Sequence, residues 1–446
     1  MFAPPTSRRY RLRPTFRLTE FQLLVAPSLL TVVGLLTIFL APRDDTRWSW
    51  ADIWVSLAYV ATVAGISISF GVIGFRGDQV LLPVTATLAG LGLLMIQRLQ
   101  PDLAAIDPNL AGLAENQLIF LGIGLAVLWL IVAASGRLRL LVMLRRYKYT
   151  ALILSLALLA VTFVFGVEIN GAKLWLSIGP FLAQPSEIVK VTLVVFLAAY
   201  LEDKRDLLGS AWRLGPLRLP PLPYLLPMGV MWAASLMVLV VQNDLGAALL
   251  FFGIFLVMLY VASGRPLYVS IGLITFAVAC WAAAQAFGRV AIRVQNWLDP
   301  WQDPRFAGFQ PVQSDYALAT GGFFGTGLGL GQPWYIPEVQ TDYVFSALGE
   351  ELGLLGTVAI LALYLVLVMR GYLIALTTPD GFARLVAVGL ATILGLQTLI
   401  IVGGVIRIIP LTGITLPFVS YGGSSLLTNF LIVGLLLHIS GMRRPT

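Results

Sequence analysis

Charged side chains are scarce here, at 11% of 446 residues, where a soluble domain carries about a quarter. That scarcity argues against a chain folded in water on every side. There is one cysteine, Cys280, and it lies inside an apolar run, so no internal disulfide can form. There is one histidine, His438. A single Cys and a single His exclude thiolate or imidazole zinc sites and the usual His-dependent triads. Any catalysis must therefore rest on carboxylates, Lys, Arg or hydroxyls. Tandem repeats and low-complexity tails are also lacking. The glycine tract Gly321 to Gly331, with its GTGLGLG stretch, does not match a dinucleotide fingerprint and is better suited to tight turns near a lipid surface.

What the sequence has in abundance is apolar length, with 58% hydrophobic residues. A stretch of about 20 such residues spans a bilayer core. Runs of this kind sit near 22–41, 53–74, 79–97, 117–135, 149–167, 186–201, 221–241, 245–262, 267–287, 342–369, 383–406 and 420–440. Backbone groups at membrane depth must be satisfied within their own segment, so each run is predicted to be a helix. The expected fold is an all-α polytopic membrane protein of about twelve transmembrane helices, with one long extracytoplasmic segment. No separate soluble domain fits between the runs, so residues 1–446 are read as a single integral membrane domain. The first run follows a basic stretch without a small-residue cleavage site and is expected to be a retained helix.

The net charge of +7 suits basic cytoplasmic loops better than nucleic acid. With the N-terminus placed inside and the helices alternating, 20 of the 29 Lys and Arg residues fall on the cytoplasmic side. This bias predicts two cytoplasmic termini and an outer 288–341 segment. That segment is too long for an idle loop. Its Trp297, Trp301 and Trp334, with its prolines, predict short interfacial helices and re-entrant turns.

Four polar clusters need explaining, because a charge near the bilayer centre costs about 2.5–3.5 kcal/mol on insertion scales. Gln184-Pro185-Ser186-Glu187 opens the sixth run, and Lys190 follows Glu187 by one helical turn, so the two can pair. A self-neutralising structural pair is the competing account. Gln242-Asn243-Asp244 lies between two apolar runs; Asp244 is either an ordinary cap or a partner for Lys190. Gln340-Thr341-Asp342-Tyr343 enters the tenth run, with Thr341 placed to cap and Asp342 in the first turn, where the helix dipole favours an ionised carboxylate. Glu350 and Glu351 lie deeper and need partners of their own. The stretch from Arg407 through Pro410, Gly413, Pro417, Ser420 and Tyr421 to Ser425 is too rich in Pro, Gly and hydroxyls to be a continuous helix. Broken helices survive at membrane depth only when buried in protein or lining a wet cavity.

Together these stretches resemble the SEDS family, the RodA/FtsW type of peptidoglycan glycosyltransferase, and are most similar to its RodA-like members. The resemblance is carried by GAKLWLSIGPFLAQPSEIVK (171–190), QNDLGAAL (242–249), LDPWQDPRFAGFQPVQS (298–314), TDYVFSALGEELGLLG (341–356) and PLTGITLPFVSYGGSS (410–425). They occur in the family's order and make 168–446 the motif core, whereas 1–167, helices one to five, has weak motif content. The departures are Leu174 where an Arg often precedes the Trp, Ile401 for a common Asn, Gln340 for a frequent His, and Tyr343 for a frequent Phe.

The resemblance implies an enzyme that polymerises lipid II into glycan strands on the outer face of a bacterial cytoplasmic membrane, for cell elongation and shape. A flippase for the same lipid is the alternative. The resemblance assigns the catalytic carboxylate to Asp342. Lys190, Glu187, Asp244, Arg293, Gln184, Gln313, Ser314, Glu338, Ser420 and Tyr421 are the substrate-binding candidates. No cofactor is called for with certainty, and a divalent cation, Mg or Mn, is left open as an aid to the diphosphate. Expected partners are lipid II, membrane lipids and a class B penicillin-binding protein with transpeptidase activity; nucleic acid is not one.

Overall fold

A computed structural model describes residues 17–40, 53–134, 140–169, 172–179, 181–204, 212–214, 217–219, 244–286 and 288–442, with Gly229 and Ala233 as isolated positions. Fourteen helices occur among the described residues. They are α1 (Leu18–Leu40), α2 (Ile53–Ile73), α3 (Leu81–Ile106), α4 (Leu113–Ala134), α5 (Leu140–Arg146), α6 (Lys148–Phe165), α7 (Pro185–Asp203), α8 (Leu245–Ser263), α9 (Pro266–Ala286), α10 (Gly288–Leu298), α11 (Phe309–Gly321), α12 (Val344–Thr377), α13 (Gly381–Val405) and α14 (Gly423–Ser440). Eleven of the twelve apolar runs coincide with helices. Apart from Gly229 and Ala233, the run 221–241 lies outside the described residues, as do Gln242 and Asn243. Among the described residues nine helices are long and apolar enough to cross a membrane. The chain is thus a polytopic helical membrane protein.

Short strands depart from the all-α expectation. Beyond α6 the chain forms β1 (Val167–Ile169), β2 (Ala172–Ile178) and β3 (Phe181–Ala183), an antiparallel sheet with β2 central. Along β2, Leu174, Leu176 and Ile178 alternate with Lys173, Trp175 and Ser177, the two-residue period of a strand. A separate hairpin pairs β4 (Trp212–Leu214) with β5 (Leu217–Leu219).

Burial separates central helices from peripheral ones. In the most apolar 18-residue window, 89% of α3 and 83% of α13 is buried, against 28% of α1 and 22% of α6. The outer helices turn Phe21, Leu29, Ile153, Leu154 and Phe165 outward, as a lipid-facing surface should. Close approach is arranged at Gly92 of α3, where a Cβ would lie 2.6 Å from the Val419 carbonyl oxygen. The non-helical segment between α13 and α14 is thereby packed directly on α3.

One end of the bundle is tied by charge. Arg17 pairs with Glu20 and donates to the carbonyls of Phe75 (2.9 Å) and Asp78 (2.8 Å). Asp78 pairs with Arg370 of α12, accepts from the Val80 and Leu81 amides at the start of α3, and donates its own N–H to Ser440 Oγ. Arg145 and Lys148 meet Asp203 at the end of α7. The opposite end gathers the beginnings of α7, α8, α12 and α14 with the segment 288–341, and the polar residues of the motifs lie there.

The tenth run is not one helix. Gly353 has φ 68° and ψ −170°, so α12 is two helices in series. The amides of Leu354 and Leu355 give up the helical ladder and donate to the carbonyls of Gly322 (2.9 Å) and Phe323 (3.1 Å). In return, Thr326 and Gly327 donate to the carbonyls of Glu350 (2.9 Å) and Glu351 (3.0 Å). The glycine tract is therefore laid into the break. Gly325, Gly327 and Gly329 adopt φ between 85° and 104°, which only glycine takes without strain.

Candidate active site

The site is assembled from three irregular pieces. The first is the turn 338–343 before α12. Glu338 sits at φ 56°, a conformation that costs a non-glycine residue free energy and marks functional segments. Its carbonyl accepts from the amides of Thr341 and Asp342, both at 3.1 Å, and from the Thr341 hydroxyl at 3.1 Å. Thr341 thus does not cap α12 as expected. The N-cap position is Tyr343, without a side-chain bond, and Asp342 lies just outside the helix.

The second piece is the end of α13. The Ile408 amide donates to Gly403 O at 2.7 Å and the Arg407 amide to Gly404 O at 3.2 Å. This is a Schellman motif, whose left-handed position is usually glycine. Here it is Arg407, at φ 57°. The conformation turns the Arg407 carbonyl to receive Trp297 Nε1 at 2.9 Å, and its guanidinium lies 3.4 Å from Asp315 of α11. The third piece is α10, whose Arg293 donates to Thr412 O at 3.4 Å and whose Asn296 donates to Ala307 O at 2.6 Å.

Between these pieces lies a pocket of about 160 Å³, lined among others by Arg293, Asn296, Gln310, Asp342, Arg407 and Gly413. Asp342 is half-buried in its wall. A Cβ on Gly413, which has φ 74°, would lie 3.5 Å from Asp342 Oδ2. Surrounding protein and the nearby Glu338 charge push its carboxyl up to about 7, against the opposing pull of Arg293 and Thr341. This departs from the expectation of a carboxylate kept ionised by the helix dipole: Asp342 precedes the N-cap Tyr343, and burial raises its carboxyl. A carboxyl in that range suits proton transfer near neutral pH.

The second charged cluster stands behind the wall made by residues 411–415. Leu411 and Gly413 line the pocket, while Thr412 and Ile414 pack on Gly246 of α8. Lys190, 1% exposed, bonds Glu187 at 2.6 Å and Gln397 Oε1 at 2.9 Å. Gln397 continues to the Thr415 carbonyl at 2.9 Å. Asp244 does not pair with Lys190. Its Oδ1 caps α8 through the Ala247 amide at 3.0 Å, and its buried Oδ2 has no hydrogen-bond partner among the described residues. Burial raises the Asp244 carboxyl, with the Ala247 amide opposing and the Glu187 charge adding to the rise. The helix-end pair is thus realised, and Asp244 takes the ordinary capping role with Glu187 near it.

The remaining candidates divide by where they point. Ser314 is buried and exchanges a hydrogen bond with Ser346 at 2.6 Å, so it joins α11 to α12 and does not face the pocket. Ser420 donates to Thr341 O at 2.6 Å, and the Tyr421 amide donates to Gln340 O at 2.8 Å. These two fix the backbone that carries Asp342. The Gln184 amide donates to Ser424 Oγ at 3.0 Å. Glu338 is exposed and accepts from Gln340 Nε2 at 3.2 Å. Gln313 is half-buried on α11, a helix that also contributes Gln310 to the pocket. Arg407, Asn296 and Gln310 line the pocket although they were not among the substrate-binding candidates. Among the described residues no group of three or more His, Cys, Asp or Glu could hold a metal ion, so a divalent cation here would rest on the Asp342 carboxylate and the substrate's own phosphates. The fixed positive charges beside Asp342 are Arg293 and Arg407.

The raised Asp342 carboxyl predicts a pH-dependent stability. An unfolded Asp ionises near pH 3.9, whereas the folded one holds its proton until about 7. The folded state therefore binds more protons between these values, and stability falls as pH rises through that window, then levels off. Asp342→Asn lacks this decline. Its thermal midpoint in detergent is expected to match wild type near pH 4 and to exceed it increasingly up to pH 7. Parallel midpoints across the window would show that the carboxyl is not perturbed.

Comparison with known proteins places this arrangement. The family model for FtsW, RodA and SpoVE, described as cell cycle protein, matches residues 79–444. The peptidoglycan glycosyltransferase RodA of Mycobacterium tuberculosis (strain ATCC 25618 / H37Rv) is 41% identical over 437 residues, covering 97% of this chain and 92% of that protein. Stage V sporulation protein E of Bacillus subtilis (strain 168) is 36% identical, covering 82% and 98%. Among solved structures, a chain from a peptidoglycan synthase complex that coordinates polymerization and crosslinking superposes with TM-score 0.65 at 30% identity, covering 82% of this chain and 98% of that one. The rod shape determining protein RodA of Thermus thermophilus does so with TM-score 0.58 at 28% identity, covering 83% and 99%. The chain belongs to the FtsW/RodA/SpoVE family.

Proposed function

We propose that this protein is a peptidoglycan glycosyltransferase that polymerises lipid II into glycan strands, for cell elongation and shape. The observation that carries the reading is the placement of Asp342, whose carboxyl is raised by burial, in one pocket with Arg293 and Arg407. Two lipid-linked substrates meet there. The sugar hydroxyl of one attacks the anomeric carbon of the growing glycan. Asp342 accepts the hydroxyl proton as the new C–O bond forms, and the bond to the polyprenyl diphosphate breaks. The diphosphate leaves as an anion that needs positive charge and no proton, which Arg293 and Arg407 supply. The relatives' names, peptidoglycan glycosyltransferase RodA among them, support the reaction class. A flippase would draw on paired half-helices around a midplane site; the charged pocket at one end of this bundle favours the polymerase.

Asp342→Asn keeps the side chain's size and removes its charge. It is expected to fold, insert and bind lipid II, yet to lose glycan polymer by about 100-fold or more, the scale of a lost general base. Near-normal polymer from a well-folded variant would remove Asp342 from the catalytic role.

Sidedness follows from the distribution of basic residues: both termini cytoplasmic, the pocket and the 288–341 segment outside. Gly308 is a poor reporter position, because a Cβ there would collide with the Pro300 carbonyl. Phe306 is 82% exposed. Phe306→Cys, in a Cys280→Ser background, is expected to react with impermeant thiol reagents on cells stripped of their outer layers. Reaction only after lysis would invert the topology.

The structural relative from a synthase complex coordinating polymerization and crosslinking supports a transpeptidase partner of the class B penicillin-binding type. Co-purification in mild detergent and faster polymerisation on adding the partner are expected. Failure of both would count against the pairing.

A further inference from the structure

Arg98 of α3 is fully buried, and no step described so far uses it. Its guanidinium is divided three ways. Nε donates to Glu351 Oε1 at 2.8 Å, one terminal nitrogen to Asp102 Oδ2 at 2.6 Å, and the other to the Gly331 carbonyl at 2.9 Å. Its carbon also lies 5.3 Å from the centre of the Trp334 ring. The same Glu351 accepts from the Gly329 amide at 2.9 Å, and its neighbour Glu350 accepts from the Gln332 amide at 2.7 Å. One buried cation thus fixes both the acid after which α12 breaks and the far end of the glycine tract laid into the break. From there the chain runs through residues 332–337 into the strained turn at Glu338 and on to Asp342.

A second contact reaches the tract from the same side of the bundle. Leu328 packs on the small apolar cluster of Leu35, Ile38 and Leu94, contributed by α1 and α3. Helix α1 lies outside residues 79–444, the range matched by the family model.

We propose that Arg98 is a positioning residue for the reaction at Asp342, acting through Glu351 and the glycine tract, with α1 completing the seat of the tract. The proposal rests on the polymerase reading. Lysine is not a substitute: its compact ammonium cannot present the planar fork that serves three separated acceptors. In Arg98→Lys the buried charge stays and the tract loses part of its anchorage.

The test combines two readouts on purified protein. The first is steady-state polymerisation of lipid II. Arg98→Lys is expected to lower kcat by about 10-fold, leave KM within about 2-fold, and keep its thermal midpoint close to wild type; the scale is that of a misplaced catalytic geometry. The second is the mobility of a nitroxide attached at Phe324→Cys in a Cys280→Ser background. Phe324 is 78% exposed, and its label should become more mobile in Arg98→Lys. The surface variant Arg145→Lys should change neither readout. Wild-type kcat in Arg98→Lys, or a rate loss matched by loss of folded protein with an unmoved label, would overturn the proposal. Absence of polymer from wild type would reject the polymerase reading instead, and label mobility would then decide whether Arg98 holds the tract.

Discussion

A helix interrupted within a membrane protein must find partners for its backbone, because each unsatisfied amide or carbonyl there costs several kcal/mol. The break at Gly353 meets that demand with the glycine tract. Two amides of α12 donate into it and two carbonyls accept from it. The tract's own groups are then fixed by Glu350, Glu351 and Arg98. Remove the break and the tract has no seat. Remove the tract and the break is an open wound in the ladder. Because the tract leads into the Glu338 turn, the direction of Asp342 depends on how this exchange is closed.

The charges are distributed in the same spirit. Burying a charge is tolerated when it is paired and hydrogen-bonded. Arg17, Glu20, Asp78 and Arg370 satisfy one another at one end, while Lys190, Glu187 and Gln397 do so toward the other. Asp342 is the exception that matters. It is half-buried without a direct ion pair among the described residues, and its carboxyl is driven up to about 7. Glu20, Asp78, Glu187 and Glu351 are each held by a cation; Asp342 instead lies at the edge of a pocket with two arginines.

Much of the fold was legible because apolar length is a strong signal in a membrane protein. Eleven runs became helices, and the Pro- and Gly-rich 406–422 stretch proved non-helical as its composition required. The break in α12 was hidden, since a lone Gly353 inside an apolar run looks like any tolerated helical glycine. The partners of Glu350 and Glu351 were hidden too: Arg98 stands 253 positions from Glu351, in a region with little motif content. Arg407 was visible in the sequence, but nothing local announces a Schellman position occupied by arginine. Ser314 and Ser420 are substrate-binding candidates through the resemblance, and packing turns both hydroxyls onto neighbouring protein.

The central claim is that this pocket joins sugars rather than moving a lipid across the membrane. Purified protein in detergent micelles offers no second compartment to which a lipid could be moved. Incubated there with lipid II and run on a gel, it is predicted to give a ladder of glycan polymer. Unchanged lipid II in micelles, together with lipid II translocation by the same preparation in vesicles, would contradict the account.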